Sequence, residues 1–312
     1  MKKIIVLILL FLMTSCTTIE KKEYTFFAMD TFISITFYGV KDTNKIVKEI
    51  RDIYYLYDDI SNNYANDSKD SIYYLNTNRE CEIKSELAEL LTFSLNMMDE
   101  TNGFFNPFIG RLSIKWKEAL EKKELLSADV VKEELNIMNN TSLLIEGSKA
   151  TLIGDGDLDL GGIAKGYATH KVKEYLDSIL CDNYLLNAGT SNIVLGSKNG
   201  ESFNVGFSKA TTPGYYYVAS KKNVSISTSS IKEQHTIIDE IYYSHLINPK
   251  TGYPQNKYDS LSIIGQDSGS LDAYTTACIN MDLDELIIYL SDKNLDFLVS
   301  KDNKLLYSSL GE

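Results

Sequence analysis

The sequence predicts an α+β fold. Two long stretches repeat apolar residues at helical spacing, several short β-rich runs follow, and the two kinds alternate irregularly rather than as βαβ units. Residues 42–60 open with the possible caps Asp42, Thr43 and Asn44 and then place Ile46, Ile50, Ile53, Tyr57 and Ile60 on one stripe, an amphipathic helix. A second helix is expected around 85–98 on Leu87, Leu91, Leu95 and Met98. Strands are expected over 142–153, with a turn near Gly147 and Ser148, and over 184–187, 215–218 and 261–265. Residues 297–307 read as a hairpin turning at Lys301, Asp302 and Asn303. Neither an internal repeat nor a long linker interrupts this pattern.

Composition narrows the function classes. The chain has 312 residues, 44% of them hydrophobic and 24% charged, with only 4 prolines, which excludes a disordered, collagenous or low-complexity protein. That length holds one large or two ordinary domains. The net charge is −12, and the lysines and arginines form no basic stripe interleaved with aromatics, so nucleic acid is not expected as a partner.

The N-terminus reads as a targeting segment. Lys2 and Lys3 precede an apolar run over 4–13 that is too short to span a bilayer permanently. It ends in Met13-Thr14-Ser15-Cys16, small residues before a cysteine, which resembles a bacterial lipoprotein cleavage box. An ordinary signal peptide with a chance cysteine is the alternative. Cleavage before Cys16 removes two lysines and takes the net charge from −12 to −14. The expected organisation is a signal peptide over 1–15, a tether over 16–24 and one domain over 25–312, held to a membrane by lipid on Cys16. Cys81, Cys181 and Cys278 are odd in number and far apart, so neither a disulfide scaffold nor a CxxC metal site is expected.

Chemistry concentrates in three segments. The first runs from Asp155 through Asp159, Gly161, Gly162 and Lys165 to Ala168, and beyond Gly162 the apolar residues Ala164, Ala168, Val172, Leu176 and Ile179 form a helical stripe. A glycine-rich helix start suits an anion, because its N–H groups are unpaired and its dipole is positive. A P-loop is excluded because Lys165 precedes Gly166 and no Ser or Thr follows, and the segment fits neither GxGxxG nor an EF-hand. A plain strand-to-helix turn is the alternative. The second segment, Asp272-Ala-Tyr-Thr-Thr276-Ala, puts Asp272 and Thr276 on one helical face. One carboxylate and one hydroxyl suit Mg²⁺, which keeps waters and takes other ligands from phosphates and a carbonyl, although DxxxT alone is a common pattern. The third is His245-Leu-Ile-Asn248-Pro-Lys-Thr-Gly252, a histidine between a β-like run and a Pro and Gly turn. With only His170, His235 and His245 in the chain, and no HExxH, zinc hydrolase chemistry lacks ligands.

Together and in this order, these segments resemble the ApbE-type FAD:protein FMN transferases, or flavin transferases. The resemblance covers roughly residues 25–290. It also takes in Ala28-Met29-Asp30-Thr31, the stretch from Ser61 through Tyr64 to Ser68, Gly103-Phe104-Phe105-Asn106-Pro107 with Trp116, Asn187 through Thr190 and Ser191 to Asn192, and Ser227-Thr228-Ser229. The departures are Asn106 and Asn248, where the family usually has Asp before Pro, and Ser230, where Gly is common. An amide keeps an acceptor oxygen and loses the charge, so altered flavin affinity is expected.

The resemblance implies an ApbE-like architecture of antiparallel sheets flanked by helices. It also implies an activity: cleavage of FAD, attachment of FMN to a Thr or Ser hydroxyl of a target protein, and release of AMP. The implied metal residues are Gly162, Asp272 and Thr276 with Mg²⁺, and the implied catalytic residues are His245 as general base and Lys165. Met29, Tyr64, Phe104, Phe105, Asn106, Asp159, Lys165, Thr190, Ser191 and Ile247 are the implied flavin or adenine contacts. Implied partners are flavoprotein subunits of membrane redox complexes carrying a Thr or Ser acceptor motif. The implied location is the bacterial cell envelope, facing the periplasm or the outer face of the cytoplasmic membrane. An FAD pyrophosphatase giving FMN and AMP, a non-catalytic flavin-binding lipoprotein and a solute-binding lipoprotein are the alternatives; the last predicts two similar α/β lobes.

Overall fold

The computed structural model describes residues 19–64, 67–231 and 235–311. In chain order the elements are β1 (Lys21–Ala28), β2 (Thr31–Tyr38), α1 (Thr43–Ser61), α2 (Ile72–Asn78), β3 (Glu80–Glu82), α3 (Ser85–Glu100), α4 (Gly110–Glu121), α5 (Ala128–Asn139), β4 (Ser142–Glu146), β5 (Lys149–Ile153) and α6 (Ala164–Ser178). Then follow β6 (Tyr184–Ala188), β7 (Asn192–Leu195), β8 (Phe203–Ser208), β9 (Tyr215–Lys221), β10 (Val224–Ser230), β11 (His235–Ile238), β12 (Ile241–Ser244), β13 (Ser260–Gly265), α7 (Ser268–Cys278), α8 (Leu283–Asp292), β14 (Asp296–Lys301) and β15 (Lys304–Ser308). The expected α+β class holds. Eight strands form one antiparallel sheet in the order β1-β2-β6-β7-β10-β13-β14-β15.

Helices α1, α6 and α7 share the largest hydrophobic core with the sheet, which contains Ile33, Ile35, Phe37, Ile50, Tyr54, Ala168, Val172, Leu176, Ile263 and Phe297. A smaller cluster joins Phe203 and Phe207 of the β8–β9 hairpin to Leu195, Ile226, Ile264 and Leu298 of the sheet. A third, built on Leu112, Trp116, Leu120 and Val131 of α4 and α5, includes Ile247.

Sequence periodicity located α1 to within a residue at each end, but the buried stripe is rotated. Val47 and Tyr54 are buried where Ile46 and Ile53 were expected, and Asp42 caps nothing with its side chain. Along α6 the stripe is buried from Ala164 to Leu176 and fails at Ile179, which lies past the last turn and is 41% exposed. The 142–153 run is the β4–β5 hairpin, and the last hairpin turns at Asp302 and Asn303, both at positive φ.

One boundary needs correction. Strand β1 begins at Lys21, so Lys21 to Tyr24 belong to the sheet rather than to a tether. Tyr24 explains it: its ring packs on Phe37 at 6.3 Å and its hydroxyl meets Thr43 Oγ1 at 2.7 Å. Residues 1–18, with the signal segment and Cys16, lie outside the described residues.

The contact that sets the site is the crossing of α6 on α7. A Cβ on Gly166 would lie 2.3 Å from Asp272 Cβ and 2.5 Å from the Ser268 carbonyl oxygen, so only glycine admits this approach. The Gly166 N–H donates to Asp272 Oδ2 at 2.8 Å, and Ser268 Oγ donates back to the Gly166 carbonyl at 3.1 Å. Replacing Gly166 by Ala must push the helices apart. The expected cost is about 3 kcal/mol, the upper end for overpacking, read as a lower urea midpoint at unchanged slope. A midpoint equal to wild type would show that the crossing yields without cost.

Candidate functional site

A cleft of about 180 Å³ opens where the start of α6, the middle of α7, the end of β10, the Phe104 to Asn106 turn and the segment after β12 converge. Its walls include Phe104, Phe105, Asn106, Asp159, Gly162, Lys165, Ser191, His245, Ile247, Asp272 and Thr276. These expected residues, from five separate stretches of sequence, are thus brought together. Three expected residues stand apart. Thr190 is exposed in the β6–β7 turn at φ 66°, with its N–H on Asn187 Oδ1. Met29 is in the β1–β2 turn at φ 52°, its N–H donating to Asp58 Oδ2 at 2.9 Å. Tyr64 is 51% exposed and receives a hydrogen bond from Lys117 Nζ at 2.9 Å. Lys117 follows the cleft residue Ser113 by one turn of α4, so this pair lies roughly 6 Å further along the helix.

Asp272 anchors the cleft floor. Its Oδ2 accepts from Gly166 N–H, and its Oδ1 accepts from Ser227 Oγ at 3.1 Å and Asn192 Nδ2 at 3.2 Å. Burial raises its carboxyl above the usual range, outweighing the Lys165 charge and these three donors, which pull it down. A buried carboxylate in that balance gains from a cation. The expected anion-binding helix start is therefore partly occupied by the chain itself, since one of its N–H groups already holds a carboxylate.

Beside Asp272, Thr276 Oγ1 donates to the Gly162 carbonyl oxygen at 3.1 Å. Two ligand oxygens on adjacent vertices of a Mg²⁺ octahedron, each at 2.0–2.1 Å from the ion, are about 3 Å apart, so the spacing fits. The donor set of carbonyl, hydroxyl and one carboxylate is also a hard-oxygen set. Among the described residues no three His, Cys, Asp or Glu side chains group to hold a metal.

His245 lines the mouth, set by the turn that leaves β12. Ser244 Oγ donates to the Gln255 carbonyl and accepts from Leu246 N–H. Farther along, Trp116 Nε1 donates to the Gly252 carbonyl at 2.7 Å, seating the 248–252 turn against α4. A Cβ on Gly252, at φ 76°, would strike Val131 Cγ1 at 2.5 Å.

The sequence reasoning missed Asn192 and Ser227 as site residues and missed Ser113, Thr228, Ser229 and Ser230 in the wall. A period-2 run of hydroxyls over Ser225, Ser227 and Ser229 was the available signal, since alternate residues of a strand share a face. The two amides, expected to alter flavin affinity, each hydrogen-bond within their own turn. Asn106 Oδ1 accepts from Phe108 N–H and Asn248 Oδ1 from Lys250 N–H, so each closes a turn around the following proline. Asn248 is buried, and its Nδ2 donates to the Asn280 carbonyl at 3.3 Å.

An antiparallel α+β scaffold with an oxygen-rich cleft that also presents a lysine and a histidine is the class that fold and site define. Solved structures of the same fold include the ApbE protein of Thermotoga maritima (20% identical, TM-score 0.83, covering 93% of this chain and 98% of that one) and the flavin transferase ApbE of Vibrio cholerae (20% identical, TM-score 0.77, 93% and 97%). The ApbE family model matches residues 29–299, and the chain belongs to the ApbE family. Relatives named FAD:protein FMN transferase come from Treponema pallidum (28% identical, covering 63% of this chain and 60% of that one) and Klebsiella pneumoniae (25% identical, 66% and 69%). The matched stretch thus spans about 60% of the length of the Treponema relative.

The amide geometry makes a prediction. Asn248→Asp exchanges a donor for a carboxylate oxygen facing the Asn280 carbonyl, and should cost about 1–3 kcal/mol in thermal unfolding. Asn106→Asp keeps its turn acceptor at the cleft rim and should stay within about 0.5 kcal/mol of wild type. Equal stability of the two variants would refute this reading of Asn248.

Proposed function

We propose that this protein is a Mg²⁺-dependent FAD:protein FMN transferase. The observation that carries the reading is the convergence, in one cleft, of Asp272, the Thr276 and Gly162 oxygens, Lys165 and His245. The family and the names of its relatives support the transferase activity, and the oxygen set supports the metal.

The reaction is phosphoryl transfer. The acceptor Thr or Ser oxygen forms a bond to the FMN phosphorus, the bond from that phosphorus to the bridging oxygen breaks, and AMP leaves with the electron pair. Asp272, Thr276 and Gly162 would hold Mg²⁺, which supplies Lewis-acid neutralisation of the pyrophosphate charge. Lys165 adds positive potential at the same wall. His245 accepts the proton of the incoming hydroxyl. Phe104, Phe105 and Ile247 offer aromatic and apolar surface for a ring of the substrate. Because about 180 Å³ is small for a dinucleotide, the remainder of FAD would lie outside the cleft, along α4 toward Lys117, Tyr64 and the Met29 turn.

The test is incubation with FAD, Mg²⁺ and a flavoprotein subunit carrying a Thr or Ser acceptor motif, read by intact-protein mass. An FMN adduct on the subunit is expected. Free FMN and AMP without an adduct would make the protein a pyrophosphatase, and unchanged FAD would make it a binder. His245→Ala should lower transfer by roughly 10²–10⁴-fold with FAD affinity little changed. Lost FAD binding with normal turnover at saturation would reassign His245 to binding.

The acceptors would be subunits of membrane redox complexes, and the protein would meet them as a lipoprotein of the bacterial cell envelope, anchored through Cys16. Four residues, 17–20, then separate the anchor from β1. Cys16→Ser should release an active protein into the soluble fraction. A variant that stays on the membrane after signal cleavage would remove the anchor from this account.

A further inference from the structure

Behind Asp272 lies a polar arrangement that the reaction as described leaves unused. Asn192 opens β7 and Ser227 lies on β10, and the antiparallel register sets them directly opposite each other. Opposed residues in such a pair project from the same face with their Cβ atoms about 5 Å apart. Here that face lies under α7, and both side chains reach one atom, Asp272 Oδ1. Asn192 and Ser227 are fully buried at 0% exposure.

The second amide atom is the informative one. Asn192 Oδ1 is buried without a hydrogen-bond partner among the described residues. Leaving such an acceptor unpaired costs about 1–3 kcal/mol. Turning the amide over would not relieve it, because the oxygen would then face the carboxylate. The described residues thus keep a buried acceptor next to the Asp272 carboxylate and supply no donor for it. Mg²⁺ binds with waters, and each water brings protons that need acceptors.

We propose that Asn192 and Ser227 are positioning residues for the cation. Together they pin Asp272 Oδ1 in one orientation, and Asn192 Oδ1 accepts a hydrogen bond from a water of the bound cation's hydration shell. The inference rests on the reading that Asp272, Thr276 and Gly162 hold Mg²⁺, and it adds a second layer behind them. Outer partners of this kind typically alter metal affinity 10–100-fold.

Calorimetric titration of Mg²⁺ into the full chain, repeated with Mn²⁺ followed by electron paramagnetic resonance, tests it without reference to activity. Ser227→Ala and Asn192→Leu should each weaken cation binding 10–100-fold. Each variant removes one donor from the buried carboxylate, so the metal-free melting temperature should fall by a few degrees at most, and by less for Asn192→Leu, which also removes the orphaned oxygen. Ser227→Thr, which retains the hydroxyl, should restore affinity to within a few-fold. Variants that bind as tightly as wild type overturn the inference and leave the metal reading standing. A fall in melting temperature that tracks the loss of affinity and is not rescued by threonine assigns the pair a purely structural role and also overturns it. A wild type that binds neither ion overturns the metal reading itself.

Discussion

Helices α6 and α7 touch at Gly166, where the absence of a side chain lets a backbone N–H reach the Asp272 carboxylate at 2.8 Å. Most of the site depends on this approach. It brings Gly162, four residues earlier, within 3.1 Å of Thr276, four residues after Asp272 on α7. Thr276 lies one helical turn beyond Asp272 on α7, and Gly162 lies in the turn that leads into α6, so one close crossing holds both contacts. The strands beneath then complete the carboxylate from its other side, through Asn192 and Ser227. A carbonyl from the turn before α6 and a hydroxyl and a carboxylate from α7 are held as one unit because neither helix can slide without losing the Gly166 contact.

A carboxylate placed this deep opposes folding when it is ionised. With its folded carboxyl raised by burial above the unfolded value, Asp272 contributes stability that is present below the unfolded value and lost as the pH rises through the folded one. The metal-free protein therefore holds this group against a gradient at neutral pH. A cation bound only by the folded state reverses the sign by mass action. Glu134 shows the contrasting solution. Burial would raise it too, but Arg111 at 2.9 Å and Lys115 at 3.4 Å outweigh burial and hold it below its usual range. Glu134 is neutralised by direct ion pairs, whereas Asp272 takes its hydrogen bonds from neutral donors and feels Lys165 only through its charge.

How much of this was legible in the sequence follows from the range of each interaction. Helices α1, α3 and α6 were legible because a buried stripe repeats within one segment, and the rotation of the α1 stripe to Val47 and Tyr54 was not, because the docking angle is set by partners elsewhere. Asp272 and Thr276 announce themselves as an i, i+4 pair. Asn192 and Ser227 do not, because their meeting depends on strand register across 35 residues, which no local pattern encodes. The amides at 106 and 248 were legible only as departures expected to alter flavin affinity, and the turn each one closes, with the tie of Asn248 to Asn280 32 residues away, was not. Family resemblance gathered the cleft residues that periodicity could not, and it did not separate Thr190, Met29 and Tyr64 from those that line the cleft.

The overall charge sharpens what the local cations must do. A protein of net charge −12 repels a dinucleotide pyrophosphate, yet beyond about 10 Å in ordinary salt that repulsion is largely screened. What remains is decided within a few ångströms of the cleft. There Lys165 lines the wall, Lys250 lies 5.5 Å from the Phe104 ring, and Lys117 lies 4.8 Å from the Tyr64 ring. None of these three lysines forms an ion pair among the described residues, whereas Arg79, Arg111 and Lys115 nearby in the fold all do. An unpaired lysine over an aromatic ring keeps its charge for a ligand while the ring orders its stem. The positive charge around the cleft is thus sparse but uncommitted, and a polyanion entering it meets cations that need not first release a carboxylate.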